Sequence, residues 1–214
     1  MTQILNMEKI ISTLLLILCP ISYAQSKDQS DIGKEGTLFF KDGNQKKGII
    51  EFKRGNIHFR ENQDSDEKVY TFNDVYKLNV NNENGEIDDY EYKLVIEEPK
   101  TKVYLFKVLI KGKVSLYSKS YQAFNSFYDS TGGISPFGGY GGNIIEHYLS
   151  KENDLYATKI ILNNIRNNHF KLNIAPVFFG DCEYLMSMIK RNVIEKDDFE
   201  GVVNYYNSGT KCNQ

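Results

Sequence analysis

The feature that most constrains the fold is a series of short runs in which apolar and polar residues alternate, separated by glycine turns. Residues 48–53 form one such run, residues 56–61 form the next, and Gly55-Asn56 joins them. Alternation with a period of two places one face of a strand in a core. A glycine-asparagine pair between two such runs is typical of a hairpin turn. Residues 36–122 are therefore predicted to form an antiparallel, β-rich region.

The remaining strands are predicted from the same alternation. They cover residues 37–41, 69–72, 74–80, 89–96, 102–111, 114–119 and 144–149, with turns at Asp42-Gly43 and Asn84-Gly85. The order of the first five strands and their turns resembles that of small SH3-like or Sm-like barrels, which implies a closed barrel here. Residues 103–110 are almost all apolar, which predicts a strand buried on both faces.

The period becomes helical towards the end of the chain. Tyr156, Ile160, Ile161 and Ile165 fit one helix face. Asp181 is predicted as the N-cap of a helix to residue 191, with Leu185, Met188 and Ile189 on one face. A second helix is predicted for residues 197–207, ended by Ser208-Gly209. The fold class is therefore α+β, with a C-terminal helical hairpin.

The N-terminal segment is predicted to be a secretory signal peptide, residues 1–24. An apolar run follows Lys9, Pro20 ends it, and Ser22 and Ala24 supply small residues for cleavage before Gln25. A transmembrane anchor needs about 20 apolar residues, roughly twice this run. A lipoprotein signal that keeps Cys19 is disfavoured by the bulky Leu18 before it. We expect an exported protein that is periplasmic, outer-membrane-associated or secreted, with no transmembrane segment in the mature chain.

Cleavage would leave two cysteines, Cys182 and Cys212. Exported proteins form disulfides readily, so the two are predicted to pair. There is no Cys-x-x-Cys spacing, which favours a structural bond over a redox-active pair.

A glycine-rich loop is predicted for residues 123–143. Phe137 and Tyr140 lie within it and are our candidate contacts for a partner, since exposed aromatic side chains supply much interface energy. A plain connection is the alternative. Ser135 is not predicted to be a nucleophile, because Phe137 stands where a nucleophile elbow needs its second glycine.

No catalytic, cofactor-binding or metal-binding residue is predicted from a motif. His58, His147 and His169 are far apart in sequence and form no ligand pair. Asn82, Asn84, Asp88 and Glu91 match four positions of a calcium loop centred on Gly85. Val80 occupies the first position, which needs a carboxylate, so a hairpin turn is preferred to a weak calcium site.

Composition describes an ordinary globular chain. Its formal net charge of −2 makes nucleic acid an unfavourable partner, and its 15 tyrosines and 13 phenylalanines favour β-structure. The segments are the signal peptide 1–24, a flexible lead-in 25–35, the β-rich domain 36–122, the loop 123–143, and a strand with a helical tail 144–214. The oligomeric state is left open.

Three segments resemble an uncharacterised family of exported proteins of Gram-negative bacteria. They begin GTLFFKDGNQKKGIIEF, VYLFKVLIKGKVSLY and FFGDCEYLMSMIKRNV, and the last ends in Tyr-Asn and a cysteine. In some relatives a similar strand module precedes an outer-membrane β-barrel. The glycines around Gly138 depart from the family pattern. The resemblance implies export, a β-rich front and a helical tail closed by a cysteine, and carries over no catalytic residue.

Three functions follow in order of preference. The first is a non-enzymatic envelope or secreted module that binds another protein of the envelope, without a cofactor. The second is a protein that binds a small ligand or glycan in a groove between the sheet and the helical tail. The third is an enzyme of unrecognised type, which converging acids or a histidine with perturbed pKa values would support.

Overall fold

The computed structural model describes residues 33–53, 55–123, 142–160, 169–194, 198–209 and 212. The predicted signal peptide, most of the predicted lead-in and the centre of the glycine-rich loop therefore lie outside the described residues. Within them the chain forms ten strands: β1 (Lys34–Phe40), β2 (Gln45–Lys53), β3 (Asn56–Arg60), β4 (Lys68–Tyr70), β5 (Val75–Asn81), β6 (Ile87–Glu97), β7 (Lys100–Ile110), β8 (Val114–Ala123), β9 (Gly142–Lys151) and β10 (Thr158–Ile160).

The ten strands form one antiparallel sheet in the order β10-β9-β8-β7-β6-β5-β1-β2-β3-β4. Gly43, Gly55 and Gly85 have φ values of 88°, 82° and 79°. Each lies between two paired strands, in a conformation that side chains with a Cβ rarely adopt. The three turns predicted from sequence are confirmed, as is the α+β class with a β-rich front and a helical end.

The front region, β1 to β5, encloses an apolar core on one face of the sheet. Its buried side chains are Leu38, Ile50, Ile57, Phe59, Val75, Leu78, Val80 and Tyr92. Gly36 and Gly48 are directly opposite each other on β1 and β2. A Cβ on Gly36 would lie 2.2 Å from the Asn79 carbonyl oxygen, so glycine permits a close approach of β1 to β5. The predicted barrel is not confirmed, since β4 is paired with β3 alone among the described strands.

The back region consists of β6 to β10 and the helices, and its sheet curls until its two ends meet. The segment before β10 reaches β6: the Leu94 N–H donates to Leu155 O at 2.9 Å, and the Ala157 N–H donates to Leu94 O at 2.8 Å. Inside the curl lie Val95, Phe106, Tyr117, Tyr148 and Ala157. The closed strand arrangement therefore occurs in the second part of the chain, where it was not predicted.

The helical part covers the opposite face of β8 and β9. A π-helical turn (Phe170–Ile174) continues into α1 (Ala175–Phe179), followed by α2 (Glu183–Lys190) and α3 (Phe199–Ser208). Their apolar residues share a core with Val114, Leu116, Leu149 and Ile160. The disulfide between Cys182 and Cys212 has an S–S distance of 2.08 Å and joins the start of α2 to the residues after α3, as predicted.

Asn207 fastens α3 to the sheet. Its Nδ2 donates to Val114 O at 2.8 Å, and its Oδ1 accepts from the Val114 N–H at 3.1 Å. Gly112 leaves room for this side chain, because a Cβ there would lie 2.4 Å from the Asn207 amide. The Lys-Gly-Lys turn before β8 and the Tyr206-Asn207 pair of α3 are therefore in contact.

The prediction of a doubly buried strand was placed on the wrong segment. Val103 on β7 is 40% exposed, although Phe106 is fully buried. The run Val114 to Tyr117 on β8 is buried at every position. The reason is that β8 has the helices on one face and the interior of the curl on the other, whereas β7 lacks this cover along most of its length.

Two predictions at the C-terminal end were also wrong. Residues 158–160 form β10 and Tyr156 makes an isolated bridge to Leu94, so this stretch is not helical; Ile161 and Ile165 lie outside the described residues. Asp181 does not cap α2, whose N-cap is Cys182 without a side-chain hydrogen bond. The Asp181 carboxylate instead accepts a hydrogen bond from the Tyr206 hydroxyl, with oxygen–oxygen distances of 2.8 and 2.9 Å. On α2 the deeply buried methionine is Met186, and Met188 is only partly buried.

Candidate functional site

A groove of 880 Å³ lies over the outer face of the front region. The strands place every second side chain in it, because Leu38, Ile50 and Leu78 point the other way into the core. The groove is lined by Glu35, Gly36, Thr37, Phe39, Gln45, Lys47, Gly48, Ile49, Glu61, Asn62, Gln63, Asn79, Asn81 and Ile87. Its volume lies in the range of ligand-binding clefts, about 300–1,000 Å³.

Strand register sets the arrangement of the groove floor. Thr37 on β1 is directly opposite Lys47 on β2 and Asn79 on β5, so these three residues form a row across the strands. Phe39 is opposite Gln45 in the next row. The loop after β3 contributes Glu61, Asn62 and Gln63, and the start of β6 contributes Ile87. The site therefore combines residues that are up to about fifty positions apart in the chain.

Most polar side chains of the groove have no hydrogen-bond or ion-pair partner among the described residues. The Asn79 Oδ1 accepts the Thr37 N–H at 3.1 Å, and the Asn62 Oδ1 accepts two groups of its own loop. The other polar lining side chains make no hydrogen bond or ion pair with any described residue: Glu35, Thr37, Gln45, Lys47, Glu61, Gln63 and Asn81. These groups are available to a ligand.

An ion-pair cluster borders the groove on β2 and β3. Glu67 accepts from His58 Nδ1 at 2.7 Å and from Arg60 at 3.1 Å, and Lys53 contacts both Glu51 and Glu67. The hydrogen bond from His58, followed by that from Arg60, lowers the pKa of Glu67 to about 2. In contrast to the groove, the charges of this cluster are mutually neutralised.

A second polar cluster lies inside the curl of the back region. Lys93 is 7% exposed, and its Nζ donates to the Asp154 carbonyl oxygen. Glu91 accepts from Lys111 at 2.5 Å and from the Tyr117 hydroxyl at 2.9 Å. Burial lowers the pKa of Lys93, an effect that Glu91 opposes. Burial also disfavours the Glu91 carboxylate, but Lys111 and Tyr117 outweigh it and hold the pKa of Glu91 below its usual value.

This inner cluster is suited to holding the fold together. Burial raises the pKa of Tyr117, and the adjacent Glu91 raises it further, so the phenol remains a hydrogen-bond donor. Lys93 reaches across from β6 to the segment that closes the curl. The charged groups of the cluster are engaged with one another or with backbone, unlike those of the groove.

The histidines that the sequence analysis singled out occupy separate places. His58 belongs to the ion-pair cluster and is partly exposed. The His147 ring lies 5.8 Å from that of Phe199, and burial lowers its pKa. His169 is exposed at the start of the helical part. Within the described ranges, no three or more His, Cys, Asp or Glu side chains are grouped to hold a metal ion.

The residues of the weighed calcium loop form a hairpin turn. The Asn82 Oδ1 accepts the N–H groups of Asn84 and Glu86 at 3.0 and 2.9 Å. Asp88 pairs with Lys107 at 2.8 Å, and Glu91 belongs to the inner cluster. The four side chains therefore serve the turn and neighbouring strands instead of converging.

The two predicted partner contacts, Phe137 and Tyr140, lie outside the described residues, as does Ser135, which was not predicted to be a nucleophile. The predicted groove between sheet and helical tail differs from the groove described above, which has no helical residue in its lining. A smaller hollow of 380 Å³ does lie between β8, β9 and the helices, lined in part by Lys113, Lys151 and Tyr206.

Sequence reasoning missed the groove because its residues alternate with core residues and resemble a solvated strand face. One signal was present. Phe39 and Ile49 stand at outward positions, where polar residues are expected on a face that only meets water.

Within the part of the chain that the structure describes, no helix has the length and apolar character needed to span a membrane. Comparison of the chain with protein-family models, with curated proteins and with solved structures found no match.

Proposed function

We propose that this chain is an exported, non-enzymatic binding module of the cell envelope, and that the groove over β1, β2 and β5 is its ligand-binding site. One observation carries the proposal: the groove concentrates polar side chains that have no partner among the described residues. Elsewhere on the sheet, charged side chains such as Glu97, Asp88 and Glu146 are paired with lysines.

The lining favours a hydrophilic ligand over a folded protein at this site. Protein interfaces depend on a few aromatic or arginine anchors in apolar pockets. The groove contains one aromatic side chain, Phe39, and no arginine. This reverses the order of the first two functions inferred from sequence.

Export is supported by two features. The N-terminal sequence has the three parts of a signal peptide. The disulfide between Cys182 and Cys212 is of the kind that forms and persists in oxidising compartments.

The non-enzymatic part of the proposal rests on the chemistry of the lining. The groove residues include no serine, cysteine or histidine. Among the described residues, no hydrogen bond pairs a nucleophile with a base within the remaining groove set of Thr37, Lys47, Glu35 and Glu61. The buried Lys93 and Glu91 are engaged in the inner cluster and lie on a different part of the sheet.

We also propose that the front region follows the plan of a small SH3-like barrel. Its strand order, β5-β1-β2-β3-β4, and its apolar core on one face support this relationship. Such modules use their outer faces and loops for binding, so the groove position fits the plan.

A protein partner remains the second candidate, because one apolar stripe is exposed on the back region. Leu94 is paired with Val103 on one side and bridged to Tyr156 on the other. Val103, Tyr156 and the nearby Ile96 are 40%, 46% and 66% exposed. Contiguous exposed apolar side chains of this kind occur at protein contacts.

Site-directed photo-crosslinking separates the two candidates. A benzophenone amino acid is placed at Gln45 in the groove, at Val103 in the stripe, or at Asn204 on α3 as the control. The full-length protein is produced in bacterial cells, irradiated there and examined by intact-mass spectrometry. A low-mass adduct at Gln45 that is missing at Asn204 is the expected result. A protein adduct at Val103 with an unmodified Gln45 variant would favour the second candidate and reject the first.

A further inference from the structure

We propose that the groove takes a neutral, hydroxyl-rich ligand, namely an oligosaccharide. This inference rests on the proposed function and adds the class of ligand. It is drawn from the types of side chain that line the groove, their free atoms, and the pairing of the strands beneath them.

The first argument is charge. The lining contains three charged side chains, Glu35, Glu61 and Lys47, and the Lys77 ammonium lies against the lining residue Phe39, so the charges at the groove sum to zero. Sites for phosphate-rich ligands carry clusters of arginine, lysine or helix N-termini. Two lysines balanced by two carboxylates form no such cationic cluster, which disfavours an anionic ligand.

The second argument is the abundance of side-chain amides. Gln45, Asn62, Gln63, Asn79 and Asn81 all line the groove. Each amide presents both a donor and an acceptor. A hydroxyl also donates and accepts, so a row of amides complements a ligand with many hydroxyl groups.

The third argument is which amide atoms are free. The Asn79 Oδ1 is occupied by the Thr37 N–H, which leaves its Nδ2 directed away from that bond as a donor. The side-chain amides of Gln45 and Asn81 form no hydrogen bond with any described residue, so each keeps both its donor and its acceptor. The carboxylates of Glu35 and Glu61 add acceptors. Donors and acceptors are thus mixed along the groove, as the alternating hydroxyls of a sugar require.

The fourth argument concerns an extended peptide, the main competing ligand. Peptides that bind sheets usually add a strand at an open edge through main-chain hydrogen bonds. The central strand of the groove, β1, is paired with β2 on one side and β5 on the other. The groove crosses the face of paired strands, so a ligand there is held by side chains.

The apolar part of the lining fits the same ligand. Phe39 and Ile49 lie on the floor, and the Phe39 ring is held in place by Tyr76, with centroids 6.4 Å apart, and by the Lys77 ammonium at 4.6 Å. The Lys77 ammonium covers one face of this ring, so the apolar surface that Phe39 contributes to the groove is its other face, together with the Ile49 side chain. The C–H face of a sugar ring matches this surface, since binding sites combine apolar contact with a few placed polar groups.

The test uses the full-length protein purified after export, in two stages. A glycan array carrying neutral and acidic oligosaccharides, in separate bacterial and host-type sets, identifies the class and source. Calorimetry with the best neutral oligosaccharide then compares the wild type with Gln45→Ala, Asn81→Ala and the control Asn204→Ala. Each groove variant is expected to bind roughly 2- to 10-fold more weakly, from the loss of one or two hydrogen bonds, while the control is unchanged.

The outcomes separate this inference from the proposed function. Neutral glycan binding that weakens in both groove variants supports the oligosaccharide. Binding of acidic glycans alone, or equal binding by all variants, overturns it. An array without any signal, together with a low-mass adduct at Gln45 in the crosslinking experiment, overturns the oligosaccharide and keeps the proposed function. Failure of both experiments overturns both.

Discussion

The front and back regions carry their polar groups on the same face of the sheet, because Asn79 in the groove is paired with Asp89 on β6, and Glu91 and Lys93 follow on that face. The face is open in the front region and enclosed in the back region. In the front region the concave face is apolar and the amides and charges lie outside, in the groove and the adjoining ion-pair cluster. In the back region Lys93 and Glu91 lie on the inner face, while apolar residues of the outer face are covered by the helices. The comparison indicates that the back region provides the rigid support and that the front region presents binding groups.

This division leads to different costs of substitution. Removing one charge from a buried group of charges strongly destabilises the folded protein. Substituting an exposed polar side chain seldom changes its stability by more than about 0.5 kcal/mol. We therefore expect substitutions in the back region to affect folding, and substitutions of free groove residues to affect binding. The predictions below test this difference, beginning with the largest effect.

Removing the disulfide is expected to have the largest effect. The Cys182→Ser, Cys212→Ser double variant should lose about 3–4 kcal/mol of unfolding free energy, because a chain of 30 residues is no longer closed in the unfolded state. Urea unfolding measures the loss. Reduction of the wild type should lower its stability by a similar amount and leave the double variant unaffected. Equal stability of the wild type, the reduced wild type and the double variant would contradict the claim that the disulfide stabilises the back region.

In the inner cluster, substitution of Glu91 is expected to lower stability more than substitution of Lys93. Glu91→Leu should cost about 2–3 kcal/mol, because the buried Lys93 ammonium loses its counter-charge. Lys93→Met should change stability by less than about 1 kcal/mol, since an apolar side chain fills the space and Glu91 keeps Lys111. Chemical denaturation of the two variants gives the comparison. A Lys93→Met variant less stable than Glu91→Leu would contradict the assigned roles.

The contact between α3 and β8 is expected to give a smaller loss. Asn207→Ala leaves the N–H and carbonyl of the buried Val114 without partners and should cost about 1–3 kcal/mol. Asn204→Ala, on the same helix but exposed, is the matched control and should be neutral or slightly stabilising. Thermal unfolding followed by circular dichroism distinguishes them. Equal melting temperatures would show that Asn207 does not fasten the helix.

The smallest effect is expected in the front region and depends on pH. The pKa of Glu67 is lowered to about 2 in the folded protein, so its ion-pair cluster stabilises fully above the ordinary carboxyl pKa, near 4.5. This contribution is lost as the pH falls from about 4.5 to about 2. Urea midpoints of the wild type and Glu67→Gln should therefore differ at pH 6 and converge towards pH 2. A difference between the two urea midpoints that grows on acidification would contradict this prediction.

Local features of the fold were predictable from sequence. The turns at Gly43, Gly55 and Gly85 depend on residues that adopt positive φ, and the strands between them follow the alternation of side chains. The disulfide followed from the number of cysteines and predicted export. These features need no knowledge of distant contacts.

Features that depend on distant contacts were not predicted. Tyr156 and Ile160 have helical spacing, yet pairing with Leu94 and β9 makes this stretch extended. Asp181 is a good capping residue, but Tyr206 takes its carboxylate. The groove combines β1, β2 and β5, whose register no local pattern contains. In each case a tertiary contact overrides or assembles what the local sequence favours.

The closure of the back region also has a consequence for folding kinetics. Lys93 and its acceptor on Asp154 are 61 residues apart, and Leu94 is paired with Leu155 and Ala157 across a similar span. Loop-closure entropy makes such contacts slow to form compared with neighbouring hairpins. During synthesis, β6 emerges with Lys93 still hydrated, and Lys93 can lose that water only after β9 and Asp154 have been made. The dehydration of one lysine is therefore a marker for closure of the curl, readable in the time at which the Leu94 amide becomes protected from hydrogen exchange.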